Sequence, residues 1–229
     1  MSSQECTGAL EVLIGPSRGL RVEFRNLGDR FEHEILLIHD EERISVLKSY
    51  EGCELEEHPQ IPCFQEFHQQ GQTLFLTGAT GIGHWSMCVQ VGEARFLEEE
   101  ATELVGTLDQ RYGLNAPVVQ SDRRVAFQYL SFDVACRLRE STQQIGSEYH
   151  KAENFDSYLS GDLGTATDSG TPDLKLLVRN PRRHALLLDP QPACSIVHTD
   201  ATNLRLFSQH DLPDELPATV QWCYGVQAM

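Results

Sequence analysis

The sequence lacks any hydrophobic run long enough to cross a membrane. Its longest apolar runs, such as residues 35–38 and 185–188, are far shorter than the roughly 20 residues of a membrane-spanning helix. The first residues, MSSQECTGALEV, have no basic start followed by an apolar stretch, so no secretory signal is predicted. We therefore expect a cytoplasmic globular protein, and 229 residues are enough to bury a substantial core.

Positive charge is scarce. Lys and Arg number 18 against 34 Asp and Glu, which gives a formal net charge of −16. Binding to nucleic acid or to an anionic membrane needs a basic surface. We therefore expect neither nucleic acid nor membrane as a partner, which leaves a protein or a small molecule.

The seven cysteines form no C-x-x-C pair, and their number is odd. Cys88 and Cys136 lie within apolar stretches. This pattern indicates reduced, mostly buried thiols in a cytosolic protein rather than a disulfide framework or a zinc site.

Period-two alternation of apolar and polar residues is the main pattern present. In such segments one face is apolar and the other polar, as expected for antiparallel sheet with one wet face. The predicted strands are LRVEFRN, FEHEILLIHD, RISVLKS, QTLFLT, HWSMCVQV, RRVAFQYLSFDVACRL, LKLLVRN and HALLLD, followed by shorter ones at residues 194–198, 204–207 and 220–225.

The period changes to that of an amphipathic helix over residues 93–112. Apolar side chains recur there at helical spacing, and Gly113 is well placed to end the helix. A short helix is predicted near residues 149–159, where Ala152, Phe155 and Leu159 have helical spacing. The predicted fold class is therefore α+β, mainly antiparallel sheet in a sandwich or partly open barrel, with one firm helix.

Residues 1–229 are predicted to form a single domain, with a split near residues 113–117 as the alternative. Residues 140–172 are polar and rich in Ser, Thr and Gly. Within them, residues 160–172 are predicted to form a mobile loop.

A glycine cluster at residues 77–83, TGATGIG, follows an apolar run as phosphate-binding loops do. Its spacing is G-x-x-G-x-G, whereas a dinucleotide site uses G-x-G-x-x-G between a strand and a helix. Here a predicted strand follows instead. We interpret the cluster as a hairpin turn, and no cofactor is expected.

His84 and Ser86 alternate with apolar residues and share one face of a predicted strand. With Asp133 they are candidates for a nucleophile and base. Asp133 and Arg137 have the same strand parity, so a polar pocket around His84, Asp133 and Arg137 is a second interpretation. The simpler alternative is the wet face of a half-buried strand.

Arg179, Arg182, Arg183 and His184 form the only concentrated basic patch. They are candidates to hold a phosphate, a carboxylate or an acidic segment of a partner, and a solvated hairpin tip is the alternative. His33 and His39 are candidate metal ligands, but neither has diagnostic spacing, and no metal site is expected.

The segments at residues 28–33, 84–86 and 132–137 together resemble uncharacterised bacterial proteins with no assigned activity. This resemblance touches most of the first 150 residues and implies no mechanism. The leading functional hypothesis is a non-catalytic binding or protein-interaction module. The alternative is a small-molecule enzyme or ligand-binding barrel around His84, Asp133 and Arg137.

Overall fold

In a computed structural model, the chain is described at residues 6–14, 17–50, 60–96, 125–142, 144–159, 176–182, 184–190, 194–199, 202–208 and 215–228. Every helix or strand in these ranges is a β-strand. The strands are β1 Cys6–Leu13, β2 Arg18–Asn26, β3 Phe31–His39, β4 Glu42–Tyr50, β5 Glu66–Gln70, β6 Thr73–Thr80, β7 Gly83–Phe96, β8 Val125–Leu138, β9 Gly146–Lys151, β10 Asp156–Leu159, β11 Leu176–Arg179, β12 Ala185–Pro190, β13 Cys194–Thr199, β14 Asn203–Ser208 and β15 Ala218–Ala228.

The strands form two antiparallel sheets. The seven-stranded sheet has the order β1-β2-β3-β4-β9-β14-β13, and the eight-stranded sheet has the order β10-β11-β12-β15-β8-β7-β6-β5. The chain first makes one four-stranded meander in each sheet. The later strand β9 then pairs with β4, and β15 pairs with both β12 and β8. Each sheet therefore joins early and late parts of the sequence.

The alternation in the sequence places the core correctly. On β7, Trp85, Met87 and Val89 are buried, while His84 and Ser86 are exposed. The buried side chains of the two sheets form one cluster between them. The predicted antiparallel strands are thus confirmed. The alternation is a reliable signal because burial of one apolar face of each strand supplies the main stabilising free energy.

The α+β class is wrong, because the part of the chain that the structure describes contains no helix. Residues 93–96, the first of the predicted helix 93–112, continue β7 and pair with residues 125–128 of β8. Each added residue extends an existing hydrogen-bonded ladder, so pairing overrides local helical spacing. Residues 97–112 lie outside the described ranges.

The short helix predicted near residues 149–159 is also wrong. β9 continues to Lys151, and β10 begins at Asp156. The alternation of β9 is hidden in the sequence because Ser147 and Tyr149 are its inward residues, and both satisfy their polar groups inside the core. Of the three residues with helical spacing, Ala152, Phe155 and Leu159, the structure shows Phe155 to be buried.

Residues 113–117 and 160–172 lie outside the described ranges, so the single domain and the mobile loop stay predictions. None of the described segments is a helix with the length and hydropathy needed to cross a membrane.

The turn between β3 and β4 contains two residues in the left-handed region. Asp40 has φ 48° and Glu41 has φ 69°, and the flanking His39 and Glu42 pair with each other. Two-residue hairpin loops with two positive φ values suit the twist of the strands and favour Asn-Gly or Asp-Gly. Glu at the second position is strained, since an L-residue pays a steric cost there.

Glu41→Gly should therefore stabilise the protein. Relief of the left-handed strain is worth about 1 kcal/mol, and thermal unfolding monitored by circular dichroism should show a higher Tm. Glu42→Gly is the matched control, because residue 42 begins β4 and glycine in a strand is destabilising. Equal effects of the two substitutions would contradict this account of the turn.

Candidate functional site

The glycine cluster at residues 77–83 forms a hairpin. β6 pairs with β7 as far as Thr80 and Gly83, with Gly81 in the turn. The predicted hairpin is confirmed. The residue after the last glycine continues a strand, whereas a dinucleotide site needs the N-terminus of a helix there.

Gly78 has a packing role within this hairpin. A Cβ atom on residue 78 would lie 2.0 Å from the carbonyl oxygen of Cys63. The segment that contains Cys63 is fixed against β6, because the Gln65 N–H donates to the Thr77 carbonyl at 2.9 Å. The glycine is needed so that this segment can cross the strand closely.

His84 and Arg137 are neighbours on the outer face of the eight-stranded sheet. The register aligns His84 with Arg137, and Arg137 with Thr219 of β15. Asp133 lies four residues from Arg137 on the same strand, which is about 13 Å at roughly 3.3 Å per residue. The structure thus brings His84 and Arg137 together and leaves Asp133 apart from them.

The nucleophile and base are not assembled in the described part of the chain. The Ser86 hydroxyl makes no hydrogen bond with His84 or Asp133. The His84 ring instead contacts the Arg139 guanidinium through its Nε2 atom. A serine nucleophile needs a base within hydrogen-bond reach.

Asp133 is held by its neighbours on β15. The Gln221 side-chain amide donates to its Oδ1 at 2.7 Å, and the Cys223 thiol donates to the same atom at 3.4 Å. Burial and then Asp133 raise the pKa of Cys223 to about 11, and the same two causes raise the pKa of Cys88. Both thiols therefore stay protonated near neutral pH and are weak nucleophiles.

The free cysteines in the described segments are Cys6, Cys63, Cys88, Cys136 and Cys223. Cys136 is buried, and burial raises the pKa of its thiol to about 12. Cys6 is exposed and the other three are half-buried. These five cysteines form no disulfide, as predicted, but the prediction of mostly buried thiols is wrong for them, because only Cys136 is fully buried.

Arg139 is a basic residue that the sequence analysis missed. It lies two residues after Arg137, directly beyond the end of β8, and this spacing of two is the signal that could have identified it. No carboxylate within the described residues lies at ion-pair distance from Arg137 or Arg139. These two guanidinium groups are therefore unneutralised on the outer face of the eight-stranded sheet.

The outer face of the seven-stranded sheet is different, because its basic side chains are paired with carboxylates. Glu23 contacts three arginines, Arg21, Arg25 and Arg43. Burial acts to raise the pKa of Glu23, but the hydrogen bonds and charges of Arg21 and Arg25 outweigh it and lower the pKa. The ion pairs are Arg21–Glu11, Arg21–Glu23, Arg25–Glu23, Arg25–Glu34, Arg43–Glu23, Lys48–Glu32 and Arg205–Glu148.

His33 lies in the core, away from His39. Its Nε2 atom is 2.8 Å from the Tyr149 hydroxyl, which is 2.5 Å from the Tyr224 hydroxyl. The His33 ring stacks between Phe24 and Phe132, with ring centroids 5.1 and 5.6 Å away. This hydrogen-bonded chain connects the two sheets through the middle of the core.

A second polar contact lies beside it. The Trp222 indole N–H donates to the Ser147 hydroxyl at 3.1 Å, and both side chains are buried. Ser147 and Tyr149 belong to β9, while Trp222 and Tyr224 belong to β15. Two cross-sheet hydrogen bonds therefore join these two strands.

Metal-binding geometry is absent from the described ranges, where no three His, Cys, Asp or Glu side chains are placed to hold an ion. His39 instead contacts His184, with ring centroids 4.9 Å apart. This contact brings the end of β3 to the turn between β11 and β12.

The predicted basic patch is only partly described. Arg179 ends β11, where it pairs with Ala185, and Arg182 is exposed in the following turn. Arg183 lies outside the described residues. His184 contacts His39, which pairs with Arg18 in the register of β2 and β3. The structure thus adds Arg18 and His39 to this patch.

No protein-family model, no curated protein and no solved structure matches this chain. The resemblance to uncharacterised bacterial proteins stays a prediction.

Asp133→Asn should make the two neighbouring thiols more reactive. Removing the carboxylate charge lowers the pKa of Cys88 and Cys223, and each pKa unit recovered raises the thiolate fraction about tenfold. Alkylation by iodoacetamide at pH 8, followed by peptide mass spectrometry, measures both rates. Cys6 is the internal control and should react at an unchanged rate. Unchanged rates at Cys88 and Cys223 would show that Asp133 does not control them.

Tyr149→Phe should destabilise the protein by about 1–3 kcal/mol, because the His33 ring and the Tyr224 hydroxyl each lose a buried hydrogen-bond partner. Urea unfolding measures this change. Tyr129→Phe is the matched control, since the Tyr129 hydroxyl makes no hydrogen bond with the described residues, and its effect should stay within about 0.5 kcal/mol. A loss in Tyr149→Phe no larger than in the control would contradict a stabilising role for the chain.

Proposed function

We propose that the protein is a non-catalytic, cytoplasmic interaction module that binds an acidic segment of a partner protein. The binding surface is the outer face of the eight-stranded sheet at its Arg137 end. The observation that carries this proposal is the pair Arg137 and Arg139, which have no carboxylate partner among the described residues of a chain with net charge −16.

Carboxylates are the natural ligands of these two side chains. Guanidinium groups form charge-assisted, bidentate hydrogen bonds with carboxylates. On the seven-stranded sheet, Arg21 and Arg25 already bind carboxylates of this chain. Arg137 lies on the outer face of β8, and Arg139 comes directly after Leu138, the last residue of that strand, so an extended acidic segment can contact both.

The surrounding face offers hydrogen bonds and one apolar contact. Ser86 is exposed and uncharged and supplies a donor and an acceptor to a peptide, whereas the exposed Thr77 and Gln221 side chains already donate to Glu66 and Asp133. Phe75 is 40% exposed on the same face, where it pairs with Cys88. An exposed aromatic side chain is a common anchor in protein interfaces.

Asp133 makes the two ends of this surface opposite in charge. Its carboxylate lies about 13 Å from Arg137 along β8, at roughly 3.3 Å per residue. An acidic side chain is therefore favoured near Arg137 and disfavoured near Asp133. The segment should place its carboxylates at the β6–β7 turn end of the sheet.

The free cysteines of the described segments support the cytoplasmic location, where thiols stay reduced. The overall acidic charge supports a protein partner over nucleic acid or an anionic membrane, because both of those require a basic surface.

The alternative, an enzyme or ligand-binding barrel around His84, Asp133 and Arg137, receives less support. His84 and Arg137 are exposed on the outward side of a sheet, and Asp133 is engaged by Gln221. A ligand pocket instead surrounds most of its ligand with convergent groups.

A labelled peptide of alternating Glu and Thr tests the proposal by fluorescence anisotropy. Measurements at 0.15 M salt are preferred, because repulsion from the rest of the acidic chain is screened beyond about 8 Å while direct contacts remain. The double variant Arg137→Gln/Arg139→Gln should weaken binding by about tenfold or more, since charged hydrogen bonds contribute about 1.5–3 kcal/mol each.

The double variant Arg30→Gln/Arg43→Gln is the matched control, because it removes the same two positive charges at arginines already paired with Asp29 and Glu23. It should leave the peptide affinity unchanged. An equal loss in the control, unchanged binding in the double variant, or no binding by the unaltered protein would each overturn the proposal.

A further inference from the structure

A second group of basic side chains converges at one end of the two sheets. Arg18 begins β2 and pairs with His39 at the end of β3. His184 contacts His39 from the turn between β11 and β12, with ring centroids 4.9 Å apart, and Arg182 lies in that turn. We call Arg18, His39, Arg182 and His184 the end cluster.

The two arginines of the end cluster are not bound to carboxylates. No ion pair joins Arg18 or Arg182 to any carboxylate within the described residues. Asp40 lies 3.3 Å from the His39 Nδ1 atom, and Glu42 acts electrostatically on His184. The turn that carries Asp40 and Glu42 also carries Glu41. Carboxylates thus offset the two arginine charges while the His184 imidazole is neutral, and protonating His184 adds a positive charge to the cluster.

Asn180 fixes the orientation of the His184 ring. Its side-chain oxygen accepts the His184 backbone N–H at 3.0 Å, so its amide nitrogen faces the His184 Nδ1 atom at 3.1 Å. An amide N–H donates there, so Nδ1 accepts and the ring proton lies on Nε2. A proton added at Nδ1 would face another donor.

We propose that the end cluster is an acid-activated binding site for a dianionic group of the phosphate or sulfate type. Protonation of His184 places an imidazolium ring in contact with the His39 ring and beside two arginines, which repel it. An anion with two negative charges between these side chains neutralises this repulsion and accepts charge-assisted hydrogen bonds. The site is closed to anions at neutral pH because Asp40 and Glu42 balance the arginines.

The titration of His184 is consistent with this arrangement. Burial lowers the pKa of His184, followed by repulsion from His39, while Glu42 raises it and Arg182 and Arg18 lower it further. The folded-state value thus lies below the ordinary value of 6.5. Below that pH the unfolded chain binds more protons, so the free energy of unfolding falls as the pH drops. A bound anion should restore the free energy of unfolding that is lost at low pH.

Sulfate is a suitable probe because it stays dianionic from pH 5 to 8, so any pH dependence comes from the protein. Imidazole NMR signals of the full chain report both protonation and binding. We expect sulfate to raise the titration midpoint of His184. Its affinity should increase by at least about tenfold from pH 7.5 to pH 5.5, because protons are taken up on binding.

Arg182→Gln and His184→Gln should each remove the shift of His39 with sulfate. Arg30→Gln and His68→Gln are the matched controls, since Arg30 lies in the turn beyond the opposite end of β2 and His68 is exposed on β5. Chloride at equal ionic strength should not replace sulfate. Affinity that is independent of pH, shifts that persist in Arg182→Gln and His184→Gln, or no binding at pH 5.5 would overturn the proposal. The acidic-peptide experiment uses other residues, so the two proposals fail independently.

Discussion

The hydrogen-bonded contact between β9 and β15 connects the two sheets at their centres. β9 joins β4 to β14, and β15 joins β12 to β8, so these strands complete the two sheets. Tyr149 and Tyr224 bridge them at 2.5 Å, and Ser147 and Trp222 bridge them again at 3.1 Å. Buried polar groups are costly without partners, so these contacts restrict which strands can face each other across the core.

The outer faces of the two sheets differ in whether their arginines are paired with carboxylates. On the seven-stranded sheet, arginines such as Arg21 and Arg25 bind carboxylates on neighbouring strands. On the eight-stranded sheet, Arg137 and Arg139 form no ion pair within the described residues, and Arg139 contacts the His84 ring. Paired charges stabilise modestly and leave little attraction for a partner. The unpaired arginines are therefore the stronger indication of a binding surface in an acidic chain.

Much of the sheet structure could be predicted from alternation, because the apolar faces of strands such as β7 and β8 are regular. β9 escaped prediction, since its inward Ser147 and Tyr149 are polar and are accommodated only by partners on β15. The candidate site was predicted in part. Shared parity correctly placed Asp133 and Arg137 on one face, but parity carries no information about separation along the strand or about the contact between His84 and Arg139.

The sequence by itself determined the antiparallel strands, the hairpin at residues 77–83 and the acidic balance, because each depends on local spacing or composition. Only the tertiary structure decided that residues 93–96 extend β7, that His33 is a core residue bound to Tyr149, and that Arg18 joins His184 from a distant part of the chain. These outcomes depend on long-range pairing, and the free energy of a contact between strands far apart in sequence has no local signature.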